Sequence, residues 1–183
     1  MPRDIHRRTL FLGLIGLAAG TGPAIAGPYL DYARGLAAHP PKGSSYRPDL
    51  EAELVDLLNG YRAGQRKEAV KADAAFEDAA RAHAADMMLN NFLGHSSSTG
   101  QSFQGRMAAF AGDVTKYPSI GENAARDTRN TPVDAAKAQA LFQQWVESPP
   151  HRRNMVNRSF AFVSTGVIQR GNSIWAVQIF FAT

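Results

Sequence analysis

The chain has 183 residues, 20 of them basic and 16 acidic, and no cysteine. This length suits one core. The near balance of charge gives no argument for a nucleic-acid-binding domain, which wants a clustered basic face, and the lack of cysteine excludes disulfides and cysteine-linked lipid.

Arg3, Arg7 and Arg8 precede an apolar run from Leu10 to about Ala19, and Ala24-Ile25-Ala26 supplies small residues at a cleavage position. This order predicts a secretory signal over residues 1–26. The apolar run is shorter than the roughly 20 residues that a bilayer span needs, and no later stretch is both long and apolar enough to replace it. Removing 26 of the 183 residues leaves a mature chain of 157, with 17 basic and 15 acidic side chains, expected in the periplasm or secreted and without a transmembrane segment. Arg7-Arg8 before Thr9, Leu10 and Phe11 resembles a twin-arginine export signal. His6 stands where that signal usually has serine or threonine.

Residues 27–48 are rich in Pro, Gly and Ser and lack a sustained period, which predicts a linker or loosely docked arm. The domain proper is expected over 49–183. Leu50, Leu54, Leu57, Leu58 and Tyr61 recur at helical spacing, with Asp49 as cap and Gly64 as stop. A second helix is expected from about Asp73 to Asn90, its stripe formed by Phe76, Ala79, Ala80, His83, Met87 and Met88. Its alanines permit close approach to a sheet. A Gly/Ser loop follows, then a short helix ending at Gly112. Residues 119–125 are too short to classify by period. Thr131 as cap and Pro132 at a first helical position predict a helix through Trp145. Two β-rich segments at the C-terminus flank Gly171-Asn172, a hairpin signal. Helices before strands favour an α+β domain over repeated βαβ units.

Four histidines remain in the mature chain. His39 lies in the arm, and His83 falls on an apolar helical stripe, where a hydrogen-bonded core histidine is the expected role. His95 ends "NNFLGH" in a serine-rich loop. His151 follows Ser148-Pro149-Pro150, where Ser148 is placed to cap a helix whose first turn the prolines stiffen. Glu122, in "IGENAA", is a third candidate. Two imidazoles, one carboxylate and a water would suit Zn²⁺ with an open position. Spacing alone does not bring residues 95, 122 and 151 together, so one shared site and three separate surface residues both remain open. Ser96, Ser97 and Ser98 lack a nucleophile elbow. Arg152, Arg153 and Arg158 cluster beside His151, where they are either a solvated helix face or an attractor of anionic lipid or envelope polymer.

The motifs "LVDLLNGYRA", "AARAHAADM", "GHSSS", "SFQGRM", "IGENAA", "QQWVESPPHRRNMVN", "TGVIQ" and "IWAVQIF" occur in an order that resembles the CAP superfamily. That domain is shared by cysteine-rich secretory proteins, antigen 5 and pathogenesis-related proteins. The resemblance runs from about Leu50 to the C-terminus and is nearest to short bacterial members without disulfides. It implies a three-layer α-β-α sandwich with a cleft lined by two histidines and two glutamates, able in many members to hold a divalent metal. By motif, His95, Glu122 and His151 correspond to three of these. The second glutamate's position is Ser148, and Glu147 stands one residue early, turned by about 100° on a helix. Ser164 occupies the first glycine position of a "G-x-G" pair.

The resemblance implies a secreted binding module for a small ligand, lipid or envelope polymer, with or without a metal. Two alternatives accompany it. A metal-dependent peptidase or esterase would use His95, Glu122 and His151 around a polarised water. A lipid or sterol carrier would need an apolar groove that the sequence does not locate.

Overall fold

The computed structural model describes residues 26–183. The expected export signal over 1–26 lies outside them, apart from Ala26. The first helix, α1 (Ala26–Ala38), is followed by strand β1 (Ser44–Tyr46) and by α2 (Pro48–Gly64). A two-residue strand β2 (Lys71–Ala72) and one 3₁₀ turn lead into α3 (Glu77–Leu89). After a loop come α4 (Phe103–Ala111), β3 (Ser119–Asp127), α5 (Ala135–Glu147), α6 (Pro149–Val156), β4 (Phe162–Arg170) and β5 (Ser173–Ala182).

The sheet runs β1-β4-β5-β3, with antiparallel pairing throughout this path, and β2 adds a short parallel pairing to β4. The hairpin signal at Gly171-Asn172 is where β4 turns into β5. Gly171 has φ +55°, the left-handed region a two-residue hairpin asks of its first central residue.

Strand alternation splits the sheet into two apolar faces. Ile174, Ala176 and Phe180 of β5 join Val163 and Val167 of β4 beneath Leu54, Leu58, Leu141 and Trp145 of α2 and α5. Trp175, Val177, Ile179 and Phe181 join Ile168 against Phe76, Ala80, Ala84 and Met87 of the α3 side. The molecule is therefore an α+β, α-β-α sandwich, as the resemblance implied. The alanines of α3 bring its backbone against β4 at Gly166, where a Cβ would lie 2.3 Å from the amide nitrogen of Arg81.

Four local expectations need correction. Asp49 does not cap α2: the cap position is Arg47, and Asp49 lies in the first turn, accepting from the Arg47 guanidinium. Residues 27–48 are not a loose arm. Tyr29 and Ala33 of α1 are buried with Ala82 and Ala109, and β1 extends the sheet. A helix this short buries only one narrow stripe, which composition masked. The fifth helix starts at Ala135, capped by the Asp134 side chain accepting from the Lys137 amide at 3.1 Å. The hydroxyl of Thr131, the expected cap, instead accepts from buried Lys137 Nζ at 3.0 Å. Ser148 does precede α6, with Pro149 and Pro150 in the first turn, but its side chain makes no capping bond.

Candidate functional site

Strand β3 is an edge strand of the sheet, and it carries Glu122, around which the other candidate residues are placed. Its unclassified segment is a nine-residue strand paired along its length with β5. Glu122 and Ala124 face the α3 layer, whereas Asn123 and Ala125 face α5 and α6. The outer edge is closed by side chains rather than by a further strand. Asn154 Nδ2 donates to the Glu122 carbonyl at 3.0 Å, and Gln144 Nε2 donates to the Arg126 carbonyl at 3.2 Å. These caps protect an edge that would otherwise pair with another chain.

Glu122 is buried, and a cation that sequence reasoning missed neutralises it. Arg106 of α4, itself fully buried, donates from Nη2 to Oε2 at 2.9 Å and from Nη1 to Oε1 at 3.2 Å. Burial opposes charge on Glu122. The Arg106 guanidinium outweighs it, with help from the histidines, and holds the carboxyl well below the usual carboxylate range. A signal that could have found Arg106 is "SFQGRM", a short helix that buries its arginine next to Met107.

The same carboxylate orients His95. Its Nδ1 lies 2.8 Å from Glu122 Oε1, so Nδ1 carries the proton and donates to the carboxylate. The imidazole is 39% exposed, and its Nε2 bonds no described residue. The loop carrying His95 is pinned on both sides. Arg106 Nη1 donates to the His95 carbonyl at 2.8 Å. His83 Nε2 donates to the Gly94 carbonyl at 2.8 Å. His83 is thus the hydrogen-bonded core histidine that its helical stripe predicted, with burial pushing its pKa down to about 4.

His151 comes from α6 on the other side of β3. Asn123 Nδ2 donates to its carbonyl at 3.2 Å, and Asn154 Nδ2 also donates to Asn123 Oδ1 at 3.0 Å, tying the helix to the strand. Burial first, then the positive charge that His95 can carry, push its pKa down to about 4 against the pull of Glu122. Its Nδ1 is buried without a partner. His95, Glu122 and His151 therefore share one electrostatic neighbourhood, drawn from a loop, an edge strand and a helix.

Other candidates resolve differently. Glu147 points along its own helix, accepting from Gln143 Nε2 at 3.2 Å. Two of the three serines beside His95 are committed elsewhere: Ser97 Oγ bonds Thr99, and Ser98 donates to buried Asp86 from its amide and its hydroxyl. Trp145 is fully buried in the α2–α5 core, and Trp175 is buried on the opposite face. Ser164 Oγ accepts from the Phe76 amide and donates to the Asp73 carbonyl, stapling the turn before α3 to the sheet.

A three-ligand zinc centre does not fit this arrangement. Both Glu122 oxygens already face Arg106, and one of them also holds His95, so a metal would have to displace a guanidinium and then sit beside it. Among the described residues no three His, Asp or Glu side chains form a group able to hold a metal ion. What the geometry does offer is an imidazole oriented by a buried carboxylate, with the imidazole of His151 in the same electrostatic neighbourhood. Two cavities, of about 430 and 490 Å³, lie along α2, and neither is lined by His95, Glu122 or His151.

The buried histidines give stability a pH dependence of definite sign. His83 and His151 titrate below the ordinary imidazole value, so the unfolded chain takes up protons first as pH falls. Stability is complete above the ordinary value and declines as pH drops towards about 4. Below the usual carboxylate range Glu122 adds to the loss, because its folded form resists protonation. Urea midpoints measured from about pH 7.5 to about pH 4 should fall steadily. A flat profile between about pH 7 and pH 5 would contradict these environments.

The sequence model of the cysteine-rich secretory protein family, CAP, matches residues 55–180. The uncharacterized protein YkwD of Bacillus subtilis (strain 168) is 32% identical over 128 residues, which make up 70% of this chain and 46% of that protein. An extracellular protein containing an SCP domain from Bacillus anthracis str. Ames superposes with a TM-score of 0.61 at 24% identity, over 74% of this chain and 41% of its own. An outer surface protein from Borrelia burgdorferi superposes with a TM-score of 0.62 at 15% identity, over 75% of this chain and 97% of its own. The chain thus spans less than half the length of the two Bacillus proteins.

Proposed function

The chain belongs to the cysteine-rich secretory protein family, and on that premise we propose that it is an exported binding module whose ligand is gripped between His95 and His151. One observation carries this reading: buried Glu122, anchored by Arg106, fixes the His95 tautomer and leaves Nε2 as a ready hydrogen-bond acceptor at the surface. A group prepared in this way suits a ligand that presents an N–H or O–H, such as an amide or sugar hydroxyl of the cell envelope. Export is supported by the signal-like residues 1–26 and by relatives described as extracellular or outer-surface proteins. No described helix is long and apolar enough to cross a membrane.

The test uses side-chain ¹⁵N spectra of the histidines during titration with N-acetylated glycan and glycopeptide fragments of envelope polymers. The His95 Nε2 resonance should shift, and His95→Ala or His151→Ala should weaken binding about tenfold, the worth of one hydrogen bond to a well-placed acceptor. A peptide and ester panel should show no turnover. Hydrolysis abolished by chelator and restored by Zn²⁺ would replace the binding reading with the metal-dependent one.

Lipid carriage has one observation in its favour. Leu57, Tyr61, Phe142 and Val146 line the groove of about 490 Å³ between α2 and α5. Solvent extraction of the purified protein and mass spectrometry decide it, and a blank extract rejects it.

A further inference from the structure

We infer that the outward face of α6, together with the loop after α2, docks a hydrated phosphate-bearing polymer. Folding joins two basic segments that are about 85 residues apart in sequence. Arg62, buried at the end of α2, donates from Nη1 to the carbonyls of Met155 and Asn157 at 2.8 and 3.1 Å, clamping the end of α6. The Lys67 amide bonds the Arg62 carbonyl and the Lys71 amide bonds the Ala161 carbonyl, each at 2.9 Å. These bonds hold the loop that carries Arg66, Lys67 and Lys71 against the end of α6 and the segment after it, which carry Arg152, Arg153 and Arg158.

All six are exposed except Lys67, which is half-buried. Among the described residues none of the six forms an ion pair. Only Arg152 is partly engaged, through Nη1 to the Val146 carbonyl at 2.9 Å. Glu68 is the one acidic residue in these two segments. The described chain carries 17 basic and 15 acidic residues, so the rest of it holds 11 basic against 14 acidic. An ordinary solvated face intersperses the two signs, whereas this chain segregates them.

A polymer fits this face better than a bilayer. Membrane docking couples basic charge to apolar side chains that enter the acyl boundary. The exposed large apolar residues, Leu89, Leu93 and Val114, belong to the end of α3, the loop after it and the turn after α4. A repeating phosphate chain needs only spaced cations, each contact releasing a counterion.

Inorganic polyphosphate is the probe, titrated into the mature chain by calorimetry across a salt series. The expected slope of log affinity against log salt is about −3 to −5, for four to six neutralised phosphates. Reversing Lys67, Arg153 and Arg158 to glutamate should weaken binding more than about tenfold, while reversing the exposed Arg34, Lys42 and Lys116 should cost less than about threefold. Circular dichroism checks that both variants fold. Equal losses in the two triple variants would overturn the proposal, leaving net charge alone as the cause. So would binding confined to vesicles of anionic phospholipid, or a salt slope near zero.

Discussion

Arg106→Met is expected to lower stability by about 3–5 kcal/mol, because it strands a buried carboxylate. Glu122 is only 5% exposed, and its oxygens would keep one hydrogen-bond partner, His95, with His83 Nε2 at 4.0 Å. The loop would loosen as well, since Arg106 also holds the His95 carbonyl. The pH dependence should change sign around this group. In the parent chain Glu122 titrates low, and its contribution is present above the usual carboxylate range and lost on acidification. Without the guanidinium, burial raises the carboxyl instead, so the variant should regain part of its deficit as pH falls from about 7 to about 5. Adding Glu122→Gln to Arg106→Met removes the stranded charge and should recover at least half of the loss. Urea denaturation of the two single variants and the double variant measures the coupling. A double variant no more stable than Arg106→Met would show that the ion pair is not what holds this corner together.

Gly166→Ala is the second large effect, and it acts on the opposite side of the sheet from α2. A Cβ there would lie 2.3 Å from the Arg81 nitrogen, 2.5 Å from the Ala80 carbonyl carbon and 2.7 Å from the Arg81 Cα. These atoms are helix backbone, so no side-chain rotation relieves the contact. Helix α3 would have to lift from β4, opening the layer that contains Phe76, Ala80, Ala84 and Val177. The cost should exceed the usual range for an added methylene and reach more than about 3 kcal/mol. Because α3 also carries His83, whose bond to the Gly94 carbonyl positions His95, the side-chain ¹⁵N signals of His95 should broaden even where the variant folds. A thermal midpoint within a few degrees of the parent would mean that α3 stands farther from the strand than described.

Much of this was legible along the chain. Leu50, Leu54 and Leu58 recur at helical spacing and are all buried, and Gly171-Asn172 turned the last two strands as read. The motif order, through the family resemblance, points to His95, Glu122 and His151. The segment 119–125 was opaque because it buries a carboxylate and an amide, Glu122 and Asn123, on opposite faces among small residues, so neither alternation nor an apolar run shows. Helix α1 was opaque because its only deeply buried residues are Tyr29 and Ala33, too few to make a period.

Local pattern fixes what each short segment does, since helix spacing, caps and turns depend on neighbours a few residues away. By that means the sequence by itself determined helix α2, the stripe of α3 and the last hairpin, whereas the α-β-α layering and the joining of His95, Glu122 and His151 followed only from the resemblance in motif order. Only the tertiary structure decided the partner of Glu122. Arg106 is 16 positions away in sequence, and its cation reaches both carboxylate oxygens because α4 packs beside the loop that holds His95. Charge neutralisation in a buried place depends on distance in space, which spacing along the chain does not encode.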